Sequence, residues 1–201
     1  MSWQEIPGWF DWSWLYDFAV ERAPKNAVLV EVGVAFGRSL AYLARRAIDA
    51  KRDDLRIVGV DPWRDDWTAP YGWAEDSRPT WGSEHAAWAR AQGGPFSAFV
   101  VSMREHAPQE LERVEVVRGY SVDASCMIGM PWLAFLDGDH REAAVAADVE
   151  AWGECDVLAG HDYSTDFPGV IAAVDRSVGD VDVRPGGTTW IRRGDIERAA
   201  R

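Results

Sequence analysis

The sequence predicts an α/β domain, with a mostly parallel β-sheet that is covered by helices on both faces and ends in an antiparallel hairpin. First, short apolar runs rich in β-branched residues alternate with amphipathic helical stretches along much of the 201-residue chain. This alternation is typical of a parallel sheet. Second, two strand-like runs near the C-terminus flank Pro-Gly-Gly at 185–187. Such a sequence indicates a tight turn between antiparallel strands.

The predicted elements follow one another in a regular order. A helix at 9–23, with apolar residues at helical spacing, precedes a first strand at 27–33. Further strands are predicted at 55–61, 114–119, 131–137 and 155–160, and helices between them at 39–50, 140–152 and 168–178. The strands are short apolar runs without strict alternation, as expected when both faces of a sheet are buried.

The alternation stops between residues 63 and 108, a stretch rich in Trp, Pro and Gly with short helices predicted at 84–91 and 95–105. Because this stretch is too short for a core of its own, we interpret residues 1–201 as one domain with an insertion. Most of the twelve tryptophans lie in this insertion or near the N-terminus. One interpretation is that these tryptophans pack the insertion and the N-terminal helix against the domain. The alternatives are an aromatic cover over cofactor and substrate, and a contact between the subunits of a homodimer.

The charge and the cysteine content exclude several classes of function. The net charge is −12, and no stretch concentrates Lys or Arg, which disfavours nucleic acid and anionic membranes as partners. The N-terminus lacks the pattern of a secretory signal, and no apolar run is long enough to span a membrane. The two cysteines fit no zinc or redox spacing, so we expect reduced thiols in a cytoplasmic protein.

The end of the first predicted strand carries a glycine turn. Glu31, Gly33 and Gly37 are spaced E-x-G-x-x-x-G before a helix, and the glycines would let a ligand approach the backbone. A carboxylate would repel a pyrophosphate but suits S-adenosylmethionine, which carries a sulfonium and an ammonium group and no phosphate. Asp61, at the end of the next strand, is placed to accept hydrogen bonds from ribose hydroxyls. The alternative for the glycines is a turn that only connects the strand to the helix. The alternative for Asp61 is a surface aspartate or a helix N-cap.

Acidic and histidine side chains follow two later strands. Asp137, Asp139 and His140 come after one strand, and His161 and Asp162 after the next. Ligands of open α/β sheets bind outside the carboxyl ends of the strands, and two neighbouring strand ends would bring Asp137 close to His161 and Asp162. Carboxylates and an imidazole suit Mg²⁺ or Mn²⁺, with the histidine favouring a transition metal. The alternative is that Asp139 and Asp162 cap the helices that follow them.

Several motifs together resemble class I S-adenosylmethionine-dependent methyltransferases. They are VEVGVAFGRSLAYLA, VGVDPW, RGYSVDAS, WLAFLDGDHREAAVAADVEAW, VLAGHDYSTDFPGVIAAVD and TTWIRR. The chain is most similar to a bacterial subgroup that includes metal-dependent macrolide-sugar O-methyltransferases and cephalosporin-hydroxylase-type proteins. The resemblance covers roughly residues 27–193, except the insertion. It implies a Rossmann-like, seven-stranded sheet whose last strand is antiparallel.

The resemblance also implies roles for individual residues. Glu31, Gly33 and Gly37 match the motif that holds the methionine end of the cofactor, Asp61 the ribose-binding acid, and Ser121 the residue near the adenine. The full set of expected cofactor-binding residues is Glu31, Gly33, Gly37, Ser39, Asp61, Ser121, Asp137 and Asp139. Asp137 and Asp162 match metal-ligand positions, and His161 stands where the sugar-methylating relatives carry a carboxylate. His140 matches their general base.

The expected activity is therefore S-adenosylmethionine-dependent O-methylation of a small-molecule hydroxyl, on a sugar or a phenol. His140 would remove the hydroxyl proton. Mg²⁺ or Mn²⁺ at Asp137, His161 and Asp162 would assist. Two alternatives stay open: a non-catalytic protein that binds S-adenosylmethionine, and a metal-dependent hydrolase that uses the acid and histidine cluster.

Overall fold

The structure is a computed structural model that describes residues 2–64 and 81–200, with side chains from residue 85 onward in the second range. A seven-stranded sheet forms its centre, in the order β3-β2-β1-β4-β5-β7-β6. The strands are β1 (Val28–Val32), β2 (Arg56–Asp61), β3 (Val114–Arg118), β4 (Leu133–Leu136), β5 (Val157–Gly160), β6 (Val181–Val183) and β7 (Trp190–Arg192).

The sheet has the predicted mixture of parallel and antiparallel strands. Strands β1 to β5 pair in parallel. Strand β7 runs antiparallel to both β5 and β6. The seven-stranded, mostly parallel sheet with an antiparallel C-terminal hairpin is therefore confirmed, and each predicted strand corresponds to an observed one within a few residues.

Helices lie along the sheet in chain order. They are α1 (Ser13–Arg22), α2 (Arg38–Asp49), α3 (Trp81–Ala91), α4 (Pro95–His106), α5 (Pro108–Leu111), α6 (Ser121–Ile128), α7 (Glu142–Trp152), α8 (Pro168–Ser177) and α9 (Asp195–Ala199). None of the helices in the described part of the chain is long and apolar enough to cross a membrane.

Some helix boundaries differ from those expected. The N-terminal helix begins at Ser13 rather than at residue 9, because Trp12 has a non-helical backbone and its ring lies 4.8 Å from that of Phe135 in the sheet. Aromatic spacing alone could not separate this non-helical lead-in (residues 6–12) from the helix. Helices α5, α6 and α9 were not predicted, and all three are eight residues or shorter.

The two faces of the sheet are buried in two separate cores. In β1, Leu29 points into the core formed with α1, α2 and α4, while Val30 and Val32 point into the core formed with α6, α7 and α8. This arrangement explains why β1 lacks the polar alternation of a one-sided sheet. It also places Glu31 among apolar residues on the first face.

The described part of the insertion packs against the first core. The predicted short helices at 84–91 and 95–105 correspond to α3 and α4. The ring of Trp63 lies 4.8 Å from that of Phe99, and Trp88 lies 4.9 Å from Phe36. These two tryptophans therefore contribute to packing. Trp67 and Trp73, which the cover hypothesis also used, lie outside the described residues.

Candidate active site

The carboxyl ends of three strands lie side by side at one edge of the sheet. Val32, Leu136 and Gly160 are paired in register across β1, β4 and β5. The residues that follow them, including Asp137 and His161, therefore emerge next to one another. In open α/β sheets, ligands usually bind at this edge, next to the point where the strand order reverses. Here that point lies between β1 and β4.

Two acids and two histidines meet at this edge. His140 Nε2 lies 2.8 Å from Asp162 Oδ2 and 3.8 Å from Asp137 Oδ1. His161 Nδ1 lies 3.1 Å from Asp162 Oδ1 and 3.7 Å from Asp137 Oδ1. The proximity expected from the strand order is thus present, and the His161 side chain is only 5% exposed. Asp162 adopts φ 59°, a left-handed conformation that is uncommon outside glycine and concentrates at functional sites.

The two acids and two histidines shift one another's pKa values. Burial favours the neutral form of each histidine, but hydrogen bonds with the acids outweigh it. They raise the pKa of His140 to about 9 and that of His161 to about 10. Burial opposes ionisation of Asp162, yet both histidines hold its pKa well below the usual range, whereas burial raises the pKa of Asp137. Without a ligand the histidines therefore carry protons at neutral pH, and each must lose one before it can act as a base or bind a metal.

The donor set fits a divalent cation. One ligand atom from each of Asp137, His161 and Asp162 can be chosen so that all lie within 4.8 Å of one another. Two carboxylate oxygens and one imidazole nitrogen are ligands that Mn²⁺ and similar cations accept, whereas Mg²⁺ prefers oxygen alone. These three residues could hold such an ion, and His140 borders the same position.

Asp139 bonds to the residue that precedes α7. Its carboxylate accepts hydrogen bonds from the backbone N–H of Arg141, at 3.0 Å, and from the Arg141 side chain. Arg141 directly precedes α7 and is its N-cap residue. Asp139 therefore has a local structural role close to the helix start, although it is not the cap itself. Its assignment to the cofactor stays a prediction.

Glu31 is fully enclosed on the α1 and α2 side of the sheet. It is 1% exposed, and its carboxylate accepts hydrogen bonds from Tyr16, at 2.6 Å, and Ser39, at 2.7 Å. Burial raises its pKa to about 8 in spite of these bonds, so the carboxyl is mostly neutral at pH 7. The electrostatic attraction that the sequence suggested is correspondingly weak. Contact of Glu31 or Ser39 with the cofactor stays a prediction.

The two glycines of the turn are required by the protein's own packing. Gly33 has φ +87°, and a Cβ there would lie 1.9 Å from the carbonyl oxygen of Asp137. A Cβ on Gly37, at φ +96°, would lie 2.7 Å from Met103 Sδ. Gly33 thus lets the β1 turn pack against the end of β4, and Gly37 lets α2 start close to α4. Neither contact tests the predicted approach of a ligand.

Asp61 holds the same turn in place. Its Oδ2 accepts hydrogen bonds from the backbone N–H groups of Val34 and Ala35, both at 3.0 Å. Its Oδ1 accepts one from Trp63, at 2.6 Å. A carboxylate offers about four lone-pair positions, so these bonds leave about one. A ribose that binds Asp61 through both hydroxyls would therefore displace at least one backbone N–H.

Ser121 belongs to a buried polar group that links α6 to α7. Its hydroxyl oxygen accepts a hydrogen bond from Trp152 Nε1 at 2.8 Å. Burial raises the pKa of Asp148 to about 6, and a hydrogen bond with Ser121 opposes this rise. Asp148 also lines a small pocket together with Asp137 and His140. The position predicted to lie near the adenine is therefore connected to the acid and histidine cluster.

Sequence reasoning missed several of these polar partners. Tyr16 and Asp148 bear on the site but were assigned no role, and Asp11 and Thr188 contact His161 from distant parts of the chain. Asp148 had one detectable signal, since it is a charged residue on the otherwise apolar face of a predicted helix. Asp11 and Tyr16 lie in the predicted helix at 9–23 and Thr188 in the C-terminal hairpin, but no local pattern there indicated their contacts.

Comparison with known proteins places the chain among methyltransferases. A family model described as "Methyltransferase domain" matches residues 30–161, whereas no curated protein matches. The calicheamicin methyltransferase CalS11 is a similar solved structure, with 20% identity over 90% of this chain and 76% of that one, at a TM-score of 0.54. The O-methyltransferase NovP has 13% identity over 90% and 78%, at 0.63. A putative rRNA methylase from Clostridium thermocellum has 9% identity over 92% and 94%, at 0.57.

Proposed function

The chain belongs to the methyltransferase-domain family and is a class I S-adenosylmethionine-dependent methyltransferase, and we propose that it methylates a hydroxyl oxygen of a small molecule. The observation that carries the proposal is the cluster of Asp137, His140, His161 and Asp162 at the edge of the sheet. It supplies a candidate base and a candidate cation site next to the turn that precedes α2. The hydrolase alternative gives no role to that turn.

In this proposal the cofactor lies over the ends of β1 and β2. Asp61 would accept the ribose hydroxyls after giving up part of its bonding to the turn at Val34 and Ala35. Ser121 would border the adenine, and its bond to Trp152 fixes the hydroxyl in place. The reactive methyl group would then face the acid and histidine cluster.

Methyl transfer to oxygen is an in-line displacement at the sulfonium carbon, and a neutral hydroxyl is a poor nucleophile. His140 would first lose one of its two protons. Its Nε2–H would then donate to Asp162 Oδ2, 2.8 Å away, which orients the ring and leaves Nδ1 to take the hydroxyl proton. A positioned base contributes typically 10²–10⁴-fold, on the order of 3–5 kcal/mol. A divalent cation, when bound, would acidify the hydroxyl and fix its direction. Alignment of the two reactants contributes up to about 7–11 kcal/mol.

We further propose that the acceptor is a sugar or a phenol rather than RNA. The net charge of −12 would repel a phosphate backbone, although one similar fold is described as a putative rRNA methylase. CalS11 is described as a TDP-rhamnose 3'-O-methyltransferase. At 20% identity this likeness is one of fold, so it supplies a first acceptor for testing rather than an assignment.

The test combines cofactor binding with turnover. Isothermal titration should show binding of S-adenosylmethionine and of its demethylated product. The purified protein should then form that product only when an acceptor is added, with TDP-sugars and catechols as the first panel. EDTA should reduce turnover, and Mn²⁺ should restore it. Absence of cofactor binding at millimolar concentration would refute the proposal, and binding without turnover on any hydroxyl acceptor would favour a non-catalytic role.

A further inference from the structure

The N-terminal lead-in to α1 contacts His161, one of the four residues of the acid and histidine cluster. Asp11 Oδ1 lies 3.2 Å from His161 Nε2, and Thr188 Oγ1 lies 3.0 Å from the same nitrogen. The other ring nitrogen, Nδ1, faces Asp162 and Asp137. The two nitrogens of His161 thus have separate partners. Nδ1 faces the acids of the candidate cation site, and Nε2 faces Asp11 and Thr188.

Packing holds the His161 ring in this orientation. The centroid of the Trp12 ring lies 4.6 Å from that of His161. Trp12 itself stacks on Phe135 of the sheet at 4.8 Å, and the backbone N–H of His161 donates to Leu136 at 3.1 Å. The His161 side chain is only 5% exposed. A flip of the ring in this enclosed site would exchange the partners of both nitrogens, so the packing opposes it.

We propose that Asp11 is a positioning residue that makes His161 a metal ligand through Nδ1, so that the site prefers a transition-metal cation such as Mn²⁺ over Mg²⁺. This inference rests on the metal-assisted form of the proposed function. A carboxylate that accepts a hydrogen bond from one imidazole nitrogen fixes the tautomer and leaves the lone pair on the other nitrogen. Thr188 offers a second acceptor to the same N–H.

Preference among cations follows from the resulting donor set. With Nδ1 available, Asp137, His161 and Asp162 present two oxygens and one nitrogen to the ion. A nitrogen ligand strengthens binding of Mn²⁺ and later transition metals far more than that of Mg²⁺, which favours oxygen and water. Removal of Asp11 should therefore weaken Mn²⁺ binding more than Mg²⁺ binding.

A purely structural role for Asp11 is the competing explanation. The same lead-in is attached to α2, where Arg38 Nη1 donates to the carbonyl oxygen of Gly8 at 2.7 Å. If Asp11 only helps to fasten this segment, its loss would lower thermal stability without a selective change in metal affinity. Asp17 provides a matched control, because it lies on α1 and bonds Tyr42 and Arg46 on α2 at 2.6–2.7 Å. It has no contact with the cluster among those described.

The experiment measures binding of the metal alone. Isothermal titration with Mn²⁺ and, separately, Mg²⁺ would compare wild type, Asp11→Ala and Asp17→Ala. We expect Asp11→Ala to raise the Mn²⁺ Kd about 10–100-fold, the usual effect of losing such a partner. The Mg²⁺ Kd should change much less. Asp17→Ala should leave both constants unchanged even if its melting temperature falls.

Two results would overturn the inference, and they are distinguishable from failure of the proposed function. Equal Mn²⁺ affinity of wild type and Asp11→Ala would assign Asp11 a structural role while methyl transfer stands. Absence of divalent-cation binding by wild type would remove the metal from both proposals, whereas product formation in EDTA would still establish the transferase. If Asp11→Ala does not fold, Asp11→Asn, which keeps shape and a weaker acceptor, should still raise the Mn²⁺ Kd selectively.

Discussion

The protonation of Glu31 can be tested by the pH dependence of folding. The pKa of this carboxyl is raised from 4.5 to about 8 in the folded protein, chiefly by burial. Below pH 4.5 the group is protonated in both states, and its stabilising contribution is fully present. Between pH 4.5 and about 8 the unfolded chain ionises while the folded protein keeps the proton, so the contribution is lost as the pH rises.

The size of the effect follows from the same values. One proton of difference changes the free energy of unfolding by about 1.4 kcal/mol per pH unit. Across the window from pH 4.5 to about 8, the change is roughly 4–5 kcal/mol. That is a large part of the total stability of an ordinary domain, which is about 5–15 kcal/mol.

The substitution Glu31→Gln isolates this contribution. A neutral amide resembles the protonated carboxyl in shape and can still bond Tyr16 and Ser39, which lie within 2.7 Å of the carboxylate oxygens. Urea unfolding followed by tryptophan fluorescence at pH 5.5, 6.5 and 7.5 should show wild type losing about 1.4 kcal/mol per unit relative to the variant. The titrations of His140 and His161 occur in both proteins and cancel.

Glu115 provides the control. It is paired with Arg56, which lowers its pKa, so it is ionised over this pH range whether the chain is folded or not. The difference between wild type and Glu115→Gln should therefore stay constant. If the Glu31→Gln and wild-type curves also run parallel, Glu31 is ionised in the folded protein and the reasoning is wrong.

Three further substitutions test the site. Gly33→Ala should destabilise the fold by about 2–5 kcal/mol by chemical denaturation, because the position has φ +87° and a Cβ would lie 1.9 Å from the Asp137 carbonyl oxygen. Asp61→Ala should raise the Kd for S-adenosylmethionine by roughly 10–100-fold in calorimetry, since charged hydrogen bonds contribute about 1.5–3 kcal/mol each. His140→Gln should lower the turnover number by about 10²–10⁴-fold and leave the cofactor Kd unchanged.

Each of these predictions has a contrary outcome. Wild-type stability of Gly33→Ala would mean that the turn can move away from β4. Wild-type cofactor affinity of Asp61→Ala would remove that acid from the ribose site. Full turnover by His140→Gln would place the base at another residue, and a parallel loss of cofactor affinity would indicate a binding role instead.

The alternation of strands and helices could be predicted from local sequence because each element is short and its pattern is complete within itself. The runs that became β4 and β5 ended in acids and histidines at equivalent positions. Parallel strands bring their carboxyl ends to one edge, so the proximity of Asp137 to His161 and Asp162 followed without coordinates. The start of α1 did not follow, because Trp12 fits an amphipathic helix as well as it fits a stack on Phe135.

The sequence by itself determined the order of the elements, the antiparallel C-terminal hairpin and the edge at which the polar side chains gather, because those depend on neighbours along the chain. Tertiary structure alone decided which partner each polar group has. Glu31 is enclosed with Tyr16, fifteen residues earlier, and His161 is met by Asp11, 150 residues away in sequence. Burial and hydrogen bonding set the charge of such groups, and both depend on contacts that no local pattern encodes.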